Sequence, residues 1–309
     1  MNHGHRGFTS LATLSVCFLS VVWAGPALSP IDGDMLGRNW QKLRDRELRL
    51  LPVPKEIEFA GAAIPLAGTG ARRVAIVLTA DTEAARIAAG EITSRLQDFA
   101  VRAELPVLAA PQQGAYNIVI ESTWPNTFTR DARRHPEARK TEQAYGLYPR
   151  TDGITLAGQG EIGMLYAAVT LRWLIEEQDG KVLLHPAAVT DWPDYKHRQV
   201  GTLLAPYHTR TAGADPAAHL ANMRAHLDWL FRMKATGTFR HSIGSQRHSS
   251  LPDQIASSAQ TRACARRVSE YARKRGLRTM HNGGVKLGSY PADKDRPGFD
   301  QMMLDPGRK

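Results

Sequence analysis

The sequence predicts an α+β domain, a β-sheet with helices on one face, followed by an incomplete (β/α)8 TIM barrel. Three observations carry this. Between residues 51 and 194 the strand and helix signals run β-α-β-β-β-α-β and include a tight hairpin. From His197 onward the rhythm changes to strand-then-helix repeats, the pattern of parallel βα units. Only 113 residues remain from His197 to Lys309, whereas a closed barrel takes about 250.

The chain opens with a basic start (His3, His5, Arg6), an apolar run from Leu11 to Trp23 and small residues from Ala24 to Ala27. That layout predicts a signal peptide over residues 1–27, too short an apolar run for a membrane span. The expected location is secreted or periplasmic, with no membrane association after cleavage. Residues 28–50 form a polar lead-in with one short helix, which Pro52 and Pro54 end.

The first domain is assigned to residues 51–194. ARRVAIVL (71–78) predicts a strand, and DTEAARIAAGEITSRLQDF (81–99) a helix capped by Asp81 or Thr82, with Ala85, Ala88, Ala89, Ile92, Leu96 and Phe99 on one stripe. YNIVIE (116–121) is the next strand, and a loop covers 122–141. QAYGLYP and GITLAG flank Thr151-Asp152-Gly153, which predicts an antiparallel hairpin. A helix over 161–177 and a strand over 181–192 complete the module.

The second region, 195–309, is read as three βα units. Strand 199–206 precedes a helix that starts at Asp215-Pro216, an N-cap with proline in the first turn, and ends at Met233. Strand 236–241, helix 260–276 with Gly276 as its C-terminal cap, and strand 277–283 follow. The tail from 288 is expected to be a remnant of a chain that stops before its barrel is complete.

Composition narrows the function. Cys17 lies in the leader, leaving Cys264, a buried helix residue by this reading, as the single mature thiol. A disulfide scaffold and a cysteine metal site are therefore excluded. The net charge of +10 concentrates at Arg130–Lys140 and Arg266–Arg278. No recognition motif with interleaved aromatics accompanies either run, so both read as solvated surfaces and no nucleic-acid partner is expected. Gly158-Gln-Gly160-Glu-Ile-Gly163 spells a dinucleotide fingerprint. Its strand, however, is the second arm of a hairpin rather than the first strand of a parallel unit. The glycines read as a tight turn with close helix–sheet packing, and no nucleotide partner is expected. Trp173 and Trp229 read as core anchors of their helices, and His219 and His226 as surface residues.

Tyr145, Leu147, Gly153 and Ile154 in the strand pair, Gly163, Tyr166, Thr170 and Leu171 in the helix, and Asp191, Pro193, Tyr195 and Arg198 in the linker form an ordered series. This series resembles the small domain and barrel entry of the family 20 β-N-acetylhexosaminidases. The run ending at His241 and Gln246 is similar to that family's second barrel strand, and ARKRGLRTMHNGG to its third. The chain departs from the family after strand one, where it reads Ala205-Pro-Tyr-His208-Thr-Arg210. It also has Gly244 and Ser245 where the family carries two acidic residues, and His281-Asn282 where the family carries Pro-Glu. These departures leave a different sugar as an open reading.

The resemblance implies an exported glycoside hydrolase that removes terminal amino sugars from glycans by substrate-assisted retaining hydrolysis, with an Asp-Glu pair after a fourth strand. No catalytic residue is assigned within the 309 residues, and this chain alone is expected to be inactive. No metal or cofactor is implied. The substrate-binding candidates are the residues following the C-terminal ends of the three strands, the functional face of such barrels. They are Tyr207, His208 and Arg210, then His241 and Gln246, then His281 and Asn282. Two alternatives stay open: a non-catalytic secreted carbohydrate-binding module, and a glycosidase for uronic-acid-containing glycans.

Overall fold

The computed structural model describes residues 33–68, 70–99, 107–201, 216–241 and 259–282. The lead-in helix α1 (Gly33–Arg44) is tied to the chain that follows it, because Asn39 Nδ2 donates to the carbonyls of Pro54 at 3.0 Å and Lys55 at 2.7 Å. The residues of the predicted signal peptide lie outside the described residues. Among the described residues no helix is long and apolar enough to cross a membrane.

The first domain contains β1 (Glu56–Phe59), β2 (Ile64–Pro65), β3 (Val74–Leu78), α2 (Glu83–Asp98), β4 (Val107–Leu108) and β5 (Tyr116–Glu121). It continues through α3 (Thr127–Asp131), β6 (Tyr145–Arg150), β7 (Gly153–Gly158), α4 (Glu161–Trp173), β8 (Ile175–Gln178), β9 (Lys181–Leu184) and β10 (Ala187–Asp191). Seven of these strands form a mixed sheet in the order β1-β10-β6-β7-β5-β3-β4. The pairs from β1 to β7 are antiparallel and those from β7 to β4 parallel. The predicted hairpin is β6–β7, with Arg150 opposite Gly153 across a two-residue turn.

Helices α2 and α4 share one face and pack on each other. The side chain of Thr82 caps α2, accepting from the Ala85 N–H at 3.1 Å. Arg172 of α4 spans the helix pair, donating to Glu91 O at 3.0 Å and Asp98 Oδ2 at 2.6 Å. The opposite face is not bare. Phe128 of α3, with Ala132, Ala138 and Ala144, buries Ala157 of β7 there. The 122–141 segment, predicted as a loop, thus holds a short helix and two 3-10 turns that cover the second face.

Two predicted boundaries are corrected. The fourth helix stops at Trp173 instead of 177, and residues 175–178 form β8, hairpinned to β9 across Asp179-Gly180. Both turn residues have positive φ, 51° and 70°, as the tight turns that match strand twist require. The predicted strand 181–192 divides at His185-Pro186: β9 joins β8 and β2 in a second sheet, and β10 joins β1 and β6. Proline has no N–H to extend a ladder, so the strand breaks at that point.

The glycine motif is structural. A Cβ on Gly158 would collide with the Met164 and Gly163 backbone, one on Gly160 with Glu142, and one on Gly163 with the Ala144 carbonyl. Only glycine lets α4 seat so closely on the turn from β7.

Beyond the linker come β11 (Gln199–Gly201), α5 (Pro216–Arg232), β12 (Gly237–His241), α6 (Ala259–Lys274) and β13 (Arg278–Asn282). The three strands are parallel and in the order β11-β12-β13. Gly276, at φ 71°, ends α6 as predicted, with the Leu277 N–H bonded to Ala272 O. Met223, Leu227, Leu230 and Phe231 of α5 and Val268 and Ala272 of α6 belong to the same buried cluster as Ile92, Met164 and Leu165. The two regions therefore share one core. Trp173 packs partly buried against that core. Trp229 does not: it is 53% exposed and stacks on His226 with ring centroids 6.0 Å apart. Leu227, Leu230 and Phe231 take the inner face of α5, which turns position 229 outward. Cys264 and His219 fall where no side chain is described.

Candidate functional site

Parallel strands place their C-terminal ends along one edge, and the register identifies which residues meet there. Arg240 pairs with His281 and His241 with Asn282, while β11 reaches that edge at Gly201. Three of the predicted substrate contacts, His241, His281 and Asn282, are therefore strand-end positions on neighbouring strands. Their side chains lie outside the description. Tyr207, His208, Arg210 and Gln246 lie outside the described residues altogether.

What orients these strands is a buried polar network at their other end, built from the linker motif. Lys234 ends α5 in the left-handed region, φ 53°. The Ala235 N–H bonds to Leu230 O and the Lys234 N–H to Phe231 O, so Lys234 occupies the helix-terminal position usually held by glycine. Its side chain is buried. Lys234 Nζ donates to the Tyr145 hydroxyl and, at 3.2 Å, to Asp191 Oδ2. Tyr145 in turn donates to Asp191 Oδ2 at 2.8 Å, and its oxygen meets Thr170 Oγ1 at 2.6 Å. With the phenol proton committed to Asp191, the Thr170 hydroxyl is the donor in that last contact.

Arg198 extends the network to the strand starts. Its Nε donates to Lys234 O at 2.9 Å, its backbone N–H to Thr236 Oγ1 at 2.7 Å, and one guanidinium nitrogen to Tyr195 O at 2.7 Å. The Thr236 N–H returns a bond to Arg198 O, and the Arg278 N–H bonds to Thr236 O. The entries to β11, β12 and β13 are thus stitched together and to the first domain.

The electrostatics follow from burial. Burial holds the Tyr145 phenol well above its usual range, and the Asp191 charge adds to that. Burial also pulls the Lys234 ammonium down from its ordinary value, opposed by Asp191. The bonds of this network run from the first domain through the linker to the strand starts, so the network holds structure. Sequence reading picked out Tyr145, Thr170, Asp191 and Arg198 as motif residues but missed Lys234. The available signal was a lysine in place of glycine just after a helix end, in Met233-Lys234-Ala235.

Among the described residues, two cavities lie away from the strand tips. One of about 490 Å³ lies between α2, α5 and α6, lined by Glu91, Asp228, Arg232, Tyr271 and Arg275. Its charges are engaged with each other: Arg232 Nε to Glu91 Oε2 at 2.9 Å, and Asp228 Oδ1 accepting from Tyr271 at 2.7 Å and Arg275 at 2.9 Å. The other, of about 180 Å³, lies at the strand starts. Among the described residues no group of three His, Cys, Asp or Glu side chains could hold a metal ion.

The family model for glycosyl hydrolase family 20, domain 2, matches residues 47–192. This segment resembles domain 2 of that family. Its match ends next to Asp191, where the network fastens the linker.

Solved structures agree in fold. The family 20 β-N-acetylhexosaminidase of Streptomyces coelicolor A3(2) superposes with a TM-score of 0.52 at 17% identity, over 75% of this chain and 45% of that one. A family 20 exo-β-N-acetylglucosaminidase from Vibrio harveyi gives 0.51 at 14% identity, over 75% and 35%. The protein CpGH84B gives 0.53 at 16% identity, over 76% and 36%. The chain thus spans less than half the length of each of these proteins. No curated protein matches the sequence.

Proposed function

We propose that this chain is the front part of an exported glycoside hydrolase, β-N-acetylhexosaminidase-like, acting on terminal amino sugars of glycans. One observation carries the reading: a segment that resembles family 20 domain 2 is joined through a buried network to three parallel βα units in register. In this reading residues 51–194 are the accessory domain and residues 195–309 open a (β/α)8 barrel. The structural alignments support it, since they cover 75–76% of the chain, more than the domain 2 segment alone provides. Residues 1–27 act as the export signal, and the mature protein works outside the cytoplasm.

The substrate sits over the C-terminal strand ends, where barrel enzymes keep their chemistry. Tyr207, His208, Arg210, His241, Gln246, His281 and Asn282 supply hydrogen bonds to sugar hydroxyls. In substrate-assisted hydrolysis the acetamido oxygen of the sugar attacks the anomeric carbon while an acid protonates the leaving oxygen. Both acidic groups belong to a fourth βα unit, so turnover is assigned to a polypeptide that includes one.

The test is release of the chromophore from an aryl N-acetyl-β-glucosaminide. Residues 28–309 are compared with the same protein extended through the downstream reading frame. Release by the extended protein, lost in His241→Ala or His281→Ala with the fold intact, is the expected result. Inactivity of both forms on this substrate overturns the proposal.

A further inference from the structure

We infer that the cavity at the N-terminal ends of the parallel strands is a binding site for a small hydroxylated oxyanion, of the class of acidic sugars. The cavity, about 180 Å³, is walled by Glu142, Gln143 and Ile162 of the first domain, by Lys196 and His197 of the linker, and by Thr236, Arg273 and Arg278 beside the strand starts. It lies at the opposite end of the strands from His241 and Asn282, so it is distinct from the proposed active face.

Charge sets the ligand class. Lys196, Arg273 and Arg278 bring three permanent cations to one concavity, against the single carboxylate of Glu142. None of these four forms an ion pair among the described residues. Neighbouring cations are engaged instead: Lys274 with Glu83, Arg275 with Asp228 and Lys234 with Asp191. Clustered like charges around a cavity with low-dielectric walls raise the local concentration of anions. Arginine favours oxyanions in particular, because its planar fork meets two oxygens at once.

A second observation asks for a hydroxyl. Gln143 is 5% exposed and lines the same cavity. Its Nε2 donates to Lys196 O at 2.9 Å, while its Oε1 has no hydrogen-bond partner. A buried acceptor left unpaired is rare in folded proteins. A ligand that carries a hydroxyl beside its anionic group satisfies both features. Gln143 also fixes the Lys196 backbone, so its carboxamide is held in place before a ligand arrives.

The test uses the full chain and three probes titrated at constant ionic strength: glucuronic acid, glucose and inorganic sulfate. Binding is followed by amide chemical shifts of residues 196–198 and 276–278. Saturable shifts with glucuronic acid, weaker with sulfate and absent with glucose, are expected. The double variant Lys196→Gln/Arg278→Gln changes exposed side chains and leaves the fold intact. It should bind glucuronic acid at least about tenfold more weakly, the loss of one hydrogen bond to a charged group. Gln143→Leu should remove the preference for glucuronic acid over sulfate. Equal responses to glucose and glucuronic acid, no saturable response, or unchanged affinity in the double variant would overturn the assignment.

Discussion

Lys234 offers the sharpest test of how the two regions are held together. Replacing it by methionine keeps the chain length and apolar stem but deletes the ammonium that faces Asp191 and Tyr145. Removing one partner of a buried ion pair costs about 3–5 kcal/mol, because the remaining charge stays buried. The Asp191 side chain is 13% exposed and keeps bonds from the Tyr145 hydroxyl at 2.8 Å and the Lys55 N–H at 3.2 Å. The low end, about 3 kcal/mol, therefore applies. Lys234→Gly separates side chain from backbone. At φ 53° a glycine relieves about 1 kcal/mol of left-handed strain. The net loss falls to about 2 kcal/mol. Urea unfolding followed by circular dichroism measures both variants, with midpoints compared at unchanged m. A higher midpoint for Lys234→Gly than for the wild type, the usual outcome of glycine at a helix terminus, would refute the role given to the ammonium.

Gly163→Ala should destabilise by about 3 kcal/mol in the same assay, since its Cβ meets the Ala144 carbonyl, which cannot move away. Gly90→Ala, in the interior of α2 with nothing within 4 Å of its Cβ, should stabilise by about 0.5–1 kcal/mol. His185 is buried, and neither ring nitrogen has a hydrogen-bond partner. Burial, reinforced by Arg46, lowers its pKa below the ordinary 6.5. The unfolded chain then takes up the proton first, so stability falls as pH drops below about 6.5 toward the lowered folded value. Melting temperatures between pH 7.5 and 5 should show that slope in the wild type and a shallower one in His185→Phe; identical slopes would exclude His185 as the source.

Much of the fold was legible because periodicity and turn chemistry are local. The stripe in α2, the Thr82 cap, the β6–β7 turn and the Gly276 terminus all act within a few residues of themselves. The misread boundaries have physical causes. Trp173 to Gln178 is apolar and then acidic, a pattern that suits either a helix end or a strand, and pairing with β9 decided it. Asp179-Gly180 carried a hairpin signal that the helical reading overrode. Trp229 reads as a core anchor in the sequence, but the inner face of α5 is taken by Leu227, Leu230 and Phe231.

The sequence by itself determined the identity and order of the main elements, the structural use of Gly158, Gly160 and Gly163, and the motif residues Tyr145, Thr170, Asp191 and Arg198. Tertiary structure alone decided that those motif residues converge on Lys234, that β9 and β10 serve different sheets, and that unpaired cations from the linker, α6 and β13 share one cavity. Each of these depends on contacts between residues far apart in the chain. Local preference carries no record of which distant group will complete a buried charge or face an open cavity.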